Sequence, residues 1–213
     1  MKDWTKSIER YDNLMIKNIV FDMGNVLLAY TPEEYIKTIT QDEVAAAAVL
    51  KELFHSEEWR QLDAGSITEE DAVAQVCARI PEYAAEVIKA MDNWHSDLTP
   101  MQGMPEIVAR LKEKGYKIYL LSNTSLRFFQ YRNKVEMFRS FDGFIISAKE
   151  KLVKPDVAIF ECLCKRYGLE SGECLFVDDL QQNIAGAEKA GFHAHLFRGA
   201  EELSRYLEKI QIL

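Results

Sequence analysis

No apolar run in the chain approaches the roughly 18–20 residues that a membrane-spanning helix needs, and the opening stretch MKDWTKSIERYDNL lacks the apolar core of a secretory signal. A cytoplasmic protein is therefore expected. Basic excess is missing too. The 26 Lys+Arg face 34 Asp+Glu, for a net charge of −8, which argues against a nucleic-acid or anionic-membrane surface, since both need a basic face. It does not exclude a small anionic substrate, because a local positive pocket can sit inside an acidic protein. Metal-type cysteine spacing is also lacking. Cys77, Cys162, Cys164 and Cys174 form no CxxC, and residues two apart on a helix point to different faces, so four buried free thiols are expected. Repeats and low-complexity segments are absent.

What remains is 213 residues, 48% of them hydrophobic and 28% charged, enough for one globular core. Five short apolar runs rich in β-branched and aromatic residues read as strands: Lys17–Phe21, Lys117–Leu121, Phe144–Ser147, Cys174–Val177 and His193–Phe197. Helical patterns flank the last four, over Pro105–Lys114, Leu126–Arg139, Val157–Tyr167 and Ile184–Ala190. Gly115 and Gly191 stand just past two of them, where a left-handed cap is wanted. Nearly continuous apolar strands alternating with helices predict an α/β fold, a Rossmann-like parallel sheet covered on both faces.

The gap between the first two strands is far too long for one crossover. Its amphipathic stretches DEVAAAAVLKELF, ITEEDAVAQVCARI and PEYAAEVIKAMDNW, with a break at Asp63-Ala64-Gly65-Ser66, predict a helical insertion over 31–98 on a core of 15–30 and 99–213. Residues 1–14 read as an extension. The insertion leaves just after the first strand, at the sheet edge where open α/β sheets bind ligands, so it is expected to act as a lid.

Polar residues stand where each strand ends: Asp22 in VFDMGNV, Ser122-Asn123-Thr124 in LLSNTS, Lys154 in VKPD, and Asp178-Asp179 in FVDDLQQN. Together they suit phosphate chemistry. A carboxylate at Asp22 can attack phosphorus. Ser122 and the N–H groups after it, opening a helix, can hold phosphate oxygens. Lys154 offsets negative charge, and Asp22 with Asp179 offers the hard oxygen ligands that Mg²⁺ prefers. The adjacent carboxylates Asp178 and Asp179 are costly without a cation.

With these four motifs in this order, the chain from Met15 onward resembles the haloacid dehalogenase superfamily, and the insertion resembles its type-1 cap. The segment EEWRQLDAGSITEEDA is similar to the cap of the subgroup holding glucose-1-phosphatase-like enzymes and the N-terminal phosphatase domain of epoxide hydrolases. The resemblance implies a Mg²⁺-dependent phosphatase acting on a small phosphorylated metabolite, such as a hexose phosphate. It implies Asp22 as nucleophile and metal ligand, Ser122 and Asn123 as phosphate binders, and Lys154 as charge stabiliser. It implies Asp179 and the Gly24 carbonyl as metal ligands, Asp178 as an outer or alternate ligand, and Asn183 as a contact to a metal-bound water.

Gly24 departs from the pattern. Most phosphatases of the superfamily carry a second aspartate there as general acid and base, and glycine transfers no proton. From the insertion His95, Asp97 and Tyr30 are the candidates to replace it, while Trp59, Trp94, Tyr30 and Phe54 either stack on substrate or fill the core, with core favoured for Phe54. Two other readings stay open at this point: a pseudoenzyme that binds a phosphometabolite or protein without turnover, and a metal-independent 2-haloacid dehalogenase, for which the Asp178-Asp179 pair has no use. A receiver domain is excluded by motif order.

Overall fold

The structure, a computed structural model, describes residues 15–96 and 98–213. The expected extension over 1–14 and the candidate Asp97 lie outside the described residues.

Five parallel strands form one sheet: β1 (Asn18–Phe21), β2 (Lys117–Ser122), β3 (Gly143–Ile146), β4 (Cys174–Asp178) and β5 (His193–Leu196), in spatial order β3-β2-β1-β4-β5. β1 is central, with Phe21 paired to Leu120 of β2 on one side and to Val177 of β4 on the other. The side chains alternate as strand geometry requires. Ile19 and Phe21 enter one apolar cluster and Val20 enters the other, and all three are fully buried. Burying each such side chain is worth about 1.5–3 kcal/mol, so a one-residue slip of β1 would put this favourable burial in the wrong layers.

From Met104 onward the α-helices among the described residues are α6 (Met104–Glu113), α7 (Phe128–Tyr131), α8 (Ser147–Glu150), α9 (Val157–Tyr167), α10 (Gln181–Lys189) and α11 (Ala200–Lys209). Leu111 of α6 and Leu203 and Leu207 of α11 pack on one face of the sheet, and Ile159 and Phe160 of α9 with Ile184 of α10 pack on the other. Gly115 and Gly191 have φ of +88° and +85°, the left-handed caps expected of them.

One expected helix is absent. Leu126–Arg139 forms only the single turn α7 followed by 3₁₀ turns over Arg132–Lys134 and Glu136–Ser140. Val135, Phe138 and Phe141 are buried at a spacing of three, which matches the three-residue period of these turns. The Phe128 ring lies 5.4–5.9 Å from those of Phe129, Tyr131, Phe138 and Phe144. Aromatic packing therefore overrides the local pattern.

Between β1 and β2 the chain builds α1 (Pro32–Ile39), α2 (Glu43–Val49, widening into a π-helical stretch over Leu50–Phe54), α3 (Glu57–Asp63), α4 (Glu69–Arg79) and α5 (Ala84–Asn93). Three of these starts are capped by a local side chain. Asp42 accepts from the N–H of Val44 and Ala45, Ser56 accepts from that of Trp59, and Thr68 forms a reciprocal capping box with Asp71. These helices enclose a separate apolar cluster around Ile36, Leu53, Val76, Val87 and Met91. No helix among the described residues is long and apolar enough to cross a membrane. The four cysteines are free, but only Cys174 is buried. The other three are only partly buried, so the expectation of four buried thiols does not hold.

Candidate active site

In a parallel sheet whose order reverses beside its central strand, the carboxyl ends of the strands open onto a crevice. Here that crevice lies beyond β1, β2 and β4. Asp22 follows β1 directly, its N–H donating to the Val177 carbonyl at 2.9 Å. Asp178 ends β4 and is fully buried, and Lys154 reaches in from the loop between α8 and α9, also buried. The Lys154 ammonium lies 2.7 Å from Asp22 Oδ1 and 2.7 Å from Asp178 Oδ2. Asp178 is further held by the Leu180 N–H at 2.8 Å and by the Asn183 amide, which donates to both carboxylate oxygens at 3.0 Å.

Burial alone would depress the Lys154 ammonium, but Asp22 and Asp178 outweigh it and hold its pKa above the ordinary lysine value. Asp22 moves the other way. Burial pushes its carboxyl up, Lys154 pulls it down, Asp178 pushes it up again, and the result is about 6. Asp179, half-buried, is likewise raised by burial and by Asp178. One lysine thus does not neutralise the three carboxylates.

Oxygen atoms of Asp22, Asp178 and Asp179 come within 4.8 Å of one another. The buried Asn183 Oδ1 beside them has no hydrogen-bond partner among the described residues. An all-oxygen donor set with surplus negative charge and an orphaned acceptor, ready for a coordinated water, fits a hard divalent cation such as Mg²⁺.

Ser122, at the end of β2, is buried, and no side-chain hydrogen bond engages its hydroxyl among the described residues. Asn123 is committed differently. Its amide donates to the Lys154 carbonyl at 3.0 Å and accepts from the Lys154 N–H at 2.8 Å, so the side chain clamps the main chain that carries the lysine. The segment after Ser122 does not open a helix, as had been expected. α7 begins only at Phe128, and the Thr124 N–H is taken by Ser147 Oγ at 2.9 Å.

A cavity of about 340 Å³ joins Asp22, Gly24, Ser122, Asn123, Lys154, Asp179 and Asn183 to Tyr30, Trp59, Asp63 and Trp94 from the chain between β1 and β2. Gly24 therefore lies with the predicted set. Of the proposed proton-transfer groups, Tyr30 reaches this cavity, but burial and the nearby Asp63 and Glu33 charges hold its phenol well above the ordinary range. His95 lines a neighbouring cavity instead. It stacks on Tyr131 with ring centroids 5.8 Å apart, and its pKa is lowered by burial and by Arg127.

Asp63 was missed by sequence reasoning, because D-A-G-S reads as a turn. Burial and the Asp22 charge, partly opposed by Lys154, raise its carboxyl to about 7. A signal was present: Asp63 closes α3, where the helix dipole disfavours an anion.

The neighbouring cavity, about 330 Å³, adjoins the first at Met23, Gly24, Tyr30 and Trp94 and is walled by Leu28, Tyr35, Phe54 and Tyr131. Phe54 is buried in the helical cluster, as expected, and its ring also faces Trp59 at 4.8 Å, with Trp59 5.4 Å from Trp94.

The model of the haloacid dehalogenase-like hydrolases matches residues 16–191. The sesquiterpene phosphatase astK of Aspergillus oryzae is 28% identical over 176 residues, 82% of this chain and 86% of that protein. The D-ribitol-5-phosphate phosphatase of Bacteroides thetaiotaomicron is 25% identical over 189 residues, 84% of this chain and 90% of that one. Among solved structures, the magnesium complex of a HAD family enzyme from Bacteroides thetaiotaomicron superposes with a TM-score of 0.67 at 25% identity, covering 90% of this chain and 98% of that chain. The match over most of the length, on a sheet whose central strand ends at the carboxylate cluster, makes this chain a member of the haloacid dehalogenase-like hydrolases.

Proposed function

We propose that the chain is a Mg²⁺-dependent phosphomonoesterase acting on a small phosphorylated metabolite through an aspartyl-phosphate at Asp22. The observation that carries this is the placement of Asp22 between a buried cation, Lys154 at 2.7 Å, and an all-oxygen cluster with Asp178 and Asp179. Two relatives named as phosphatases, of sesquiterpenes and of D-ribitol 5-phosphate, support the reaction class.

Asp22, Asp179 and the Gly24 carbonyl would hold Mg²⁺, with Asp178 behind them and Asn183 Oδ1 beside a coordinated water. When bound, the ion would supply positive charge to the transferring phosphoryl group and lower the cost of bringing a dianion to Asp22. The chain's own residues do the rest. Asp22 offers its second carboxylate oxygen to phosphorus while Lys154 neutralises the first. The Ser122 hydroxyl and the Asn123 main-chain N–H serve as donors to non-bridging oxygens, and the Asn123 side chain keeps Lys154 in place. Asp178 fixes the ammonium from the other side. These are preorganised charges, the kind of contribution that dominates phosphoryl transfer.

The residues of 31–98 act as a cap over the core of 15–30 and 99–213 and hold the alcohol. The aromatic cavity beyond Gly24 favours an alcohol with a large apolar face, and a sugar alcohol of similar size is the second class to test. Phosphate release is measured on prenyl, aryl, hexose and pentitol phosphates with Mg²⁺ and with EDTA. Turnover that is lost with EDTA and in Asp22→Asn supports the proposal. Absence of turnover across the panel favours a binding protein, and EDTA-insensitive turnover overturns the metal assignment.

A further inference from the structure

Cleaving a phosphate ester of an ordinary alcohol demands a proton for the departing oxygen, and the water that later attacks the phosphorylated aspartate must give one up. Few groups around the cavity can exchange protons among the described residues. Among the described residues its titratable side chains are Asp22, Tyr30, Asp63, Lys154 and Asp179. Asp22 is the nucleophile and Asp179 belongs to the carboxylate cluster. Lys154 is ion-paired on both sides and held protonated. Tyr30 binds its proton too tightly to act as a base near neutrality. Asparagine amides do not titrate. Asp63 remains.

We propose that Asp63, carried into the site by the inserted helices, is the proton-transfer group of the reaction. This rests on the phosphomonoesterase reading above.

The backbone is built to hold this residue still. Its carbonyl accepts the Ser147 hydroxyl at 2.5 Å, and the same hydroxyl oxygen accepts the Thr124 N–H at 2.9 Å. Asp63 is thus two hydrogen bonds from the segment that begins at Ser122. Two residues on, Gly65 adopts φ +66° with its backbone pressed so closely on Ala148 that an added Cβ would stand 2.1 Å from the Ala148 oxygen. The end of α3 is therefore pinned on the floor of the sheet edge at two points. Beyond them, Arg127 pairs with Glu69 and donates to the carbonyls of Met91 and Asp92 at 3.0 and 2.9 Å.

The side chain, by contrast, is left free. No hydrogen bond or ion pair engages the Asp63 carboxylate among the described residues, and it stands outside the Asp22–Asp178–Asp179 cluster. A carboxyl in the reaction cavity, rigidly delivered but unpaired, is arranged for exchange rather than for structure. Its raised affinity for a proton agrees with that use.

In the first step an Asp22 oxygen bonds to phosphorus as the ester P–O bond breaks, and the Asp63 carboxyl gives its proton to the departing oxygen, releasing a neutral alcohol. In the second, the Asp63 carboxylate takes a proton from water as the water oxygen bonds to phosphorus. The P–O bond to Asp22 breaks, inorganic phosphate leaves, and both aspartates return to their starting states.

The test compares Asp63→Asn with the wild type on 2-phenylethyl phosphate, whose alkoxide needs a proton, and p-nitrophenyl phosphate, whose phenolate does not. The variant is expected to lose about 100-fold or more in kcat on the alkyl ester. On the aryl ester it releases one nitrophenolate per site in a burst and then turns over slowly, because the second step lacks its base. A uniform loss on both esters without a burst, or a change below about 3-fold on both, overturns the assignment. Thermal stability and competitive inhibition by inorganic phosphate show whether the variant keeps its fold. Should it not, Asp63→Gly is assayed with added formate, which restores alkyl-ester turnover if the carboxylate is what is missing and leaves it unrestored if it is not. A wild type inactive on both esters removes the phosphomonoesterase reading itself, whereas an active wild type matched by the variant removes only Asp63.

Discussion

Ser147 donates its hydroxyl to the main-chain carbonyl of Asp63 at 2.5 Å, joining positions 84 residues apart. This one contact ties the last residue of α3 to the first residue of α8, and through Thr124 to the end of β2.

Ser147→Ala leaves the Asp63 carbonyl and the Thr124 N–H without this partner, at a cost of about 1–3 kcal/mol. Gly65→Ala is expected to cost more. The left-handed φ penalises any Cβ by about 1–2 kcal/mol, and the clash with the Ala148 oxygen adds to it. Urea unfolding of both variants checks the order. Both are also expected to lower kcat, and Gly65→Ala, which breaks no hydrogen bond to the Ser122–Thr124 segment, to leave phosphate inhibition within a few-fold.

Lys154→Met strips the cation from two buried carboxylates. Breaking a buried ion pair by removing one partner typically costs about 3–5 kcal/mol, although replacing the whole set by apolar groups is often neutral. The variant is therefore expected to unfold at distinctly lower urea concentration and to recover part of the loss when Mg²⁺ is added. A variant as stable as the wild type without Mg²⁺ would show that Asp22 and Asp178 do not depend on the lysine.

The pH dependence of stability has a separate source in the helices between β1 and β2. Arg79 grips Glu58 with two bonds of 2.8 and 2.9 Å. The Arg79 contact, opposed by burial and aided by the Glu58 main-chain N–H, lowers the Glu58 pKa from 4.5 to about 2. A carboxylate with a depressed pKa adds stability above its unfolded value, and that stability is lost as pH falls through the folded one. Stability is thus expected to fall between about pH 4.5 and pH 2, and Arg79→Ala to flatten this part of the profile. Arg79 is 41% exposed, so the effect stays modest. Denaturation midpoints at pH 7 and pH 3 measure it.

Strands and motifs were legible because their signals are local. A short apolar run followed by a carboxylate needs no knowledge of the rest of the chain, and Asp22 and Asp178 converge because the parallel sheet brings strand ends together, while Lys154 joins them from the loop after α8. The capping residues Asp42, Ser56 and Thr68 likewise mark their helices in sequence. Two features depend on packing across the fold and were hidden. The 126–139 stretch carries a helical pattern that its aromatic partners override. Asp63 reads as a turn residue until Ser147 and Ala148, more than eighty positions away, bring it to the cavity. The Asn123 side chain shows the reverse: its place in the motif is plain, but its two bonds to Lys154 appear only in three dimensions.

The central claim is the covalent role of Asp22, and acid-quenched peptide mass analysis tests it most directly. Wild-type protein mixed with Mg²⁺ and p-nitrophenyl phosphate and quenched within the first turnovers is expected to carry one added HPO₃ on the peptide containing Asp22. Asp22→Asn is expected to carry none and to release no nitrophenolate. Turnover by Asp22→Asn at a rate near that of the wild type, or an adduct confined to another peptide, would contradict the account.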